Sequence, residues 1–280
     1  MTPDELEKTL ERLYNSARSA SSEGLTDEAV RRCEEALELI ETYGEDSERH
    51  TYGDFVMLSG DVHWGAGDYE QAYRAYYKVM MHEPDRLDAR VAVGVALYHL
   101  GRFAASQSIL EMTSLEDGED AETWYYLGLL ALRRGQRDVA MIHFETAHDL
   151  ESNRFFVPVE IPPEEIIALV ESMVEEIPEP LREPLANVPI LVEDHPSEAL
   201  LFGSDPPMDP LLLGIFDGVP LTEPQDLVTS PTHIILFLDN IWLFGHNREA
   251  LEEELWVTLK HEIGHYFGLN EDELADRGLA

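Results

Sequence analysis

Glycines return at a fixed interval in the first half of this 280-residue chain, and that interval restricts the fold more than any other feature. Gly60, Gly94 and Gly128 are spaced 34 residues apart, and Gly67, Gly101 and Gly135 follow them by seven. A period of this length denotes stacked units, each burying its apolar face against the next. With units starting at Gly53, Leu87 and Ala121, the first glycines fall at position eight, where two helices cross too closely for a side chain. Position 20 holds Ala72, Ser106 and Ala140, all small. Position 24 holds Tyr76, Leu110 and Phe144, expected to fill the space between neighbouring units. Pro84 at position 32 is a helix stop, replaced by Gly118 and Ser152 in the later units.

On these positions, residues 1–154 resemble a tetratricopeptide repeat array, with repeats at 53–86, 87–120 and 121–154. A weaker repeat at 10–43 places Ala17, Gly24, Ala29, Cys33 and Ala36 at small or packing positions. It needs about nine extra residues before Gly53, so its second helix or the following loop is longer. The resemblance implies an all-α solenoid of helical hairpins whose concave face binds a protein or peptide. Trp64, Tyr69, Tyr73, Tyr98, Trp124 and Tyr125 could face that ligand, but packing between helices is the simpler role for most of them.

The net charge of −38 narrows the partners. Residues 1–154 carry 15 basic and 31 acidic side chains, and residues 155–280 carry 4 and 26. Phosphate contacts need Lys and Arg, so nucleic acid is excluded as a partner. The acidity has two readings, a solvated self-repelling surface and the steering of a basic partner. The most apolar run, residues 233–244, is broken by Asp239 and Asn240 and is too short to span a bilayer. The acidic start of the chain lacks a secretory pattern. Cys33, the single cysteine, excludes an internal disulfide and suits a reducing compartment, so the expected location is cytoplasmic, with no membrane partner.

Periodicity changes after Arg154. Residues 155–163 read as an extended connector because of Pro158, Pro162 and Pro163. A helix is expected over 164–176 with Ile166, Ile167, Val170, Met173 and Val174 buried, stopped by Pro178 and Pro180. Short aliphatic runs at 188–194, 211–218 and 232–238 read as strands, with a loop over 196–210. One long helix follows over 248–267 and ends at Gly268. These elements make residues 155–280 an α+β domain with a small sheet.

That helix carries His261-Glu262-Ile263-Gly264-His265. Residues four apart share one helix face, so His261 and His265 can present two imidazoles to one metal ion. Zinc accepts imidazole nitrogen at roughly 2.0–2.1 Å, and catalytic sites use three protein ligands plus water. Glu262 is placed to take the proton of that water and pass it to the departing amine. Gly268 permits a sharp turn back toward the metal, and three residues later Glu271 stands where a metzincin has a third histidine. A carboxylate serves there, and Asp272 is the second choice for it. Manganese or cobalt could replace zinc at such a site.

With residues 188–194, 213–221 and the motif running on to Asp272-Glu273-Leu274, the second half resembles the small bacterial zincin-like metallopeptidases, or minimal zincins. No methionine follows Glu271, which departs from the metzincin pattern. The resemblance implies a compact zincin core with one zinc per chain, and residues 232–238 as the edge strand that pairs an extended substrate. Two functions follow as expectations. One is a zinc metallopeptidase whose repeats recruit a protein partner or substrate. The other is a non-catalytic repeat protein with a structural or vestigial zinc site.

Overall fold

The computed structural model describes residues 1–44, 49–159, 161–204, 207–223 and 232–279. Part of the insertion before Gly53 (45–48), Glu160 of the connector and residues 205–206 of the 196–210 loop lie outside the described residues. The chain divides into two compact units, Met1–Leu130 and Ala131–Ala280. The division falls inside the third 34-residue repeat.

The first unit is helical: α1 (Pro3–Ser22), α2 (Thr26–Tyr43), α3 (Arg49–Gly65), α4 (Tyr69–His82), α5 (Leu87–His99), α6 (Phe103–Glu116) and the larger part of α7 (Ala121–Leu132). Neighbours in sequence pack as hairpins, α1 on α2, α3 on α4 and α5 on α6, with α2–α3 and α4–α5 contacts joining them. Each hairpin turns on a glycine in the left-handed region, Gly24 (φ 74°), Gly67 (φ 75°) and Gly101 (φ 67°). The residue after it returns its N–H to the first helix: Leu25 to the Ala20 carbonyl (2.8 Å), Asp68 to His63 (2.9 Å), Arg102 to Leu97 (2.8 Å). These are Schellman closures, which satisfy helix-end carbonyls and need a residue free of the Cβ penalty. The second glycine series marks them. α1 starts well before Leu10, because Thr2 and Glu5 form a reciprocal capping box ahead of Pro3.

Gly60 and Gly94 of the first glycine series mark helix crossings. A Cβ on Gly60 would press into the Tyr76 ring, and one on Gly94 would stand 2.6 Å from Leu110 Cγ. Tyr76 and Leu110 therefore fill space inside their own hairpins, and Tyr76 also packs with Val93, Ala96 and Leu97 of the next one. Ala72 and Ser106 are wholly buried, and the Ser106 hydroxyl donates to the Gly94 carbonyl (2.7 Å). Gly94→Val is expected to cost about 1–3 kcal/mol by overpacking, read from a denaturant midpoint. At Gly65 an added Cβ meets nothing within 4 Å, and Gly65→Ala should stay within about 0.5 kcal/mol of wild type. Cys33 is buried and its thiol is pushed up to about 12 by that burial, as a packing residue would be. Of the six aromatics, Tyr98 is buried against Phe103 and Tyr126, while Trp64 packs on Tyr69 and His99.

The second unit contains α8 (Arg137–Leu150), α9 (Pro163–Glu176), α10 (Glu179–Leu185), β1 (Ile190–Glu193), α11 (Glu198–Leu201), β2 (Gly214–Asp217), β3 (His233–Phe237), α12 (Leu238–Trp242), α13 (Arg248–Tyr266) and α14 (Glu271–Ala275). Its core gathers Ile166 and Val170 of α9, Ile234 and Leu236 of β3, and Leu251, Leu255 and Leu259 of α13. Leu251, Leu255 and Leu259 recur every four residues and so form one face of α13, turned toward that core. Ile167 does not join it; it is 46% exposed, at the margin of the face that buries Ile166 and Val170. Pro178 and Pro180 stop α9 as expected but also start α10, since proline is well accommodated in a first helical turn. α11 is one turn of helix in the stretch read as loop.

The sheet order is β1-β3-β2. β3 runs parallel to β1 (Ile190 opposite Ile234) and antiparallel to β2 (Ile215 opposite Ile235). The expected edge strand, 232–238, is therefore central, and β1 and β2 are the edges. Its composition explains the correction: Ile234, Ile235, Leu236 and Phe237 are all buried, as in a strand covered on both faces. Two buried polar residues follow it. Asn240 donates to the Pro210 (2.9 Å) and Leu212 (2.7 Å) carbonyls and pins the approach to β2. Asp239 accepts from Arg137 of α8 (3.2 Å) and from His195 (3.3 Å). No described helix is long and apolar enough to cross a membrane.

Candidate metal centre

Asn247 caps α13 by accepting from the Ala250 N–H (2.9 Å), and the Leu251, Leu255 and Leu259 face fixes the helix's rotation. The next face carries His261, Glu262 and His265. His261 and His265 are partly exposed, with rings 4.6 Å apart between centroids and nearly perpendicular. Their Nε2 atoms face each other at 3.0 Å. Glu271, at the start of α14, brings its carboxylate to 3.2 Å from His265 Nε2 and 3.7 Å from His261 Nε2. These three ligand atoms lie within 4.8 Å of one another. No other such group of three is found among the described residues, and Asp272 is not part of it. Glu273 is used elsewhere, in a capping box with Asn270.

The donor set fits a divalent cation. His261 Nδ1 lies 2.7 Å from the Leu279 carbonyl and His265 Nδ1 lies 3.0 Å from the Leu269 carbonyl. A carbonyl only accepts, so both Nδ1 atoms donate, and each neutral ring then turns an Nε2 lone pair inward. Two lone pairs 3.0 Å apart repel unless a cation or proton lies between them. Two nitrogens bound to one tetrahedral zinc stand about 3.3 Å apart. With the exposed Glu271 carboxylate, the three side chains could hold one such ion.

Glu262, next to His261 in the helix, is buried and lies close enough to both imidazoles and Glu271 to interact with them. Burial raises its carboxyl above the ordinary range; His261 and His265, when protonated, and the Phe216 N–H oppose that rise, and Glu271 adds to it. β2 comes this close to α13 because residue 214 is glycine. A Cβ there would sit 2.9 Å from Thr258 Cγ2 and 3.1 Å from Glu262 Cγ. Sequence alone does not place Gly214 or Phe216 at the site, although a glycine at a strand start is a signal of close backbone approach. Tyr266 is a core residue whose hydroxyl donates to the Pro184 carbonyl (3.1 Å) and whose ring meets Phe216 edge-on.

Residues 185–279 match the family model of zincin-like metallopeptidases, and residues 63–148 match that of tetratricopeptide repeats. The chain thus joins a tetratricopeptide repeat segment to a zincin-like metallopeptidase domain. No curated protein matches it. Among solved structures, it is similar to a crystal structure of MamA, at 17% identity over 60% of this chain and 86% of that one (TM-score 0.40). It is also similar to MamA from Desulfovibrio magneticus RS-1, at 20% identity over 64% and 89% of the two chains (TM-score 0.41). A third is YrrB, described as a tetratricopeptide protein with an unusual peptide-binding site, at 16% identity over 53% and 93% (TM-score 0.34).

Proposed function

We propose that this protein is a zinc-dependent peptidase, with repeat residues 1–154 recruiting a protein partner or substrate and residues 155–280 holding the site. His261, His265 and Glu271 hold the metal, one per chain, and Glu262 is the general base. The observation that carries this reading is the convergence of two imidazole Nε2 atoms and one carboxylate, with each Nδ1 already committed to a carbonyl. Zinc bound there supplies Lewis acidity and lowers the pKa of a bound water. Glu262 takes the water's proton and returns it to the departing amine nitrogen, so no net proton is consumed in that exchange. In the metal-free protein burial already raises its affinity for a proton, the direction a proton acceptor needs. An extended substrate pairs along the outer edge of β2, whose Phe216 N–H already reaches the Glu262 carboxylate.

The repeat unit supports the recruiting role through a groove of about 310 Å³ between α3 and α5. Met57, Trp64 and Val91 give it apolar walls, and Asp61, Asp88 and Glu122 make its rim acidic. A segment carrying apolar and basic side chains complements that lining.

Digestion of a complex peptide mixture, followed by mass spectrometry of new termini, tests the reading. Wild type should create termini, chelation should stop it and added zinc should restore it. Termini that persist after chelation would contradict a metal-dependent peptidase.

A further inference from the structure

The carbonyls that hold the two histidines arise from the same backbone device. α13 ends at Gly268 (φ 85°), whose N–H returns to the His265 carbonyl (2.9 Å) while the Leu269 N–H returns to Gly264 (3.0 Å). The turn after α14 closes at Gly278 (φ 68°), with the Gly278 N–H on the Ala275 carbonyl (2.9 Å) and the Leu279 N–H on Leu274 (3.0 Å). Both are Schellman closures, and in both the carbonyl of the residue after the glycine meets a histidine Nδ1.

The repeat turns provide the contrast. Leu25, Asp68, Arg102 and Gln136 also follow left-handed glycines, at Gly24, Gly67, Gly101 and Gly135. Their carbonyls accept the first bond of the next helix, from Ala29, Ala72, Ser106 and Ala140 (each 3.0 Å). Leu269 and Leu279 have their carbonyls turned to imidazole instead. α14 thus meets the centre three times. Glu271 brings a carboxylate at its start, Leu274 is buried where Gly264 leaves room for it, and the Leu279 carbonyl takes His261 Nδ1–H after its end.

We propose that the Gly278–Leu279 turn is a positioning element of the metal centre, fixing His261 in the tautomer whose Nε2 lone pair faces His265. The proposal rests on the reading of this site as a zinc centre. A carbonyl that orients a ligating histidine also raises its basicity, and losing such a partner typically weakens metal binding about 10–100-fold. Gly278 is the handle because a Cβ there meets nothing within 4 Å, so a substitution acts through the backbone conformation alone. At Gly268, by contrast, an added Cβ would run into Thr222.

The test is zinc affinity of the full chain, by competition with a chromophoric chelator, for wild type, Gly278→Val, Gly278→Ala and Gly278→Asn. Valine opposes the left-handed conformation most, alanine less, and asparagine tolerates it. Affinity should fall about 10–100-fold for valine, by less for alanine, and be largely kept for asparagine. Gly24→Val, another left-handed turn with open space around it, should leave zinc affinity unchanged. Nitrogen-15 NMR of the metal-free wild type at pH 8 should find His261 protonated on Nδ1, a readout that survives should the valine variant not fold. Equal affinities across the Gly278 series, or an Nε2-protonated His261, would overturn the proposal and leave the zinc reading intact. A wild type that binds no zinc would overturn both.

Discussion

Glu262→Gln should lower peptide hydrolysis by about 10²–10⁴-fold, the usual contribution of a positioned general base, while zinc stays bound. The amide keeps the shape and an acceptor for the Phe216 N–H but cannot take a proton. His261, His265 and Glu271 are untouched, so zinc stoichiometry should match wild type. The metal-free proteins should differ in pH dependence as well. Burial raises the Glu262 carboxyl, so the folded state binds more protons than the unfolded one between the ordinary glutamate pKa of about 4.3 and the raised folded value. Across that window wild-type stability falls as pH rises, because the charged form is penalised only when folded. Glu262→Gln lacks this loss and should melt no lower than wild type near neutral pH. Retained turnover, read as kcat/KM on a peptide that wild type cleaves, would sink Glu262 as the base.

Gly214→Val should damage stability and site together. Its Cβ would meet Thr258 Cγ2 at 2.9 Å and Glu262 Cγ at 3.1 Å, both on α13, and the Ile235 carbonyl oxygen of β3 at 3.2 Å. One contact is backbone of the central strand and two are side chains of the buried helix face, so β2 must move off one or the other. Overpacking of this kind costs about 1–3 kcal/mol, and the moving strand carries the Phe216 N–H away from Glu262. A lowered denaturation midpoint with zinc still bound, and hydrolysis reduced beyond what the residual folded fraction explains, is the expected pair of results. Unchanged hydrolysis would mean that β2 does not frame the reaction.

Much of this was legible in the residues, for identifiable reasons. The two glycine series mark helix crossings and left-handed turns, and both requirements bear on the backbone and so leave the same residue at the same spacing. The ends of α13 were readable from an apolar period and Gly268. The strand order was not, since Ile-Ile-Leu-Phe says only that a strand is apolar, and its central place depends on which neighbours it finds. Ile167 is exposed against expectation, because an apolar residue one position off a buried face looks the same in sequence. The carbonyls of Leu269 and Leu279 were invisible because every residue has one, and only the turn geometry aims it.

Metal content is the most direct measure of the central claim, with purified wild type and His265→Ala compared by elemental mass spectrometry after zinc loading and gel filtration. About one zinc per chain in wild type, absent from His265→Ala, is the expected result. No zinc in wild type, or equal zinc in both, would contradict it.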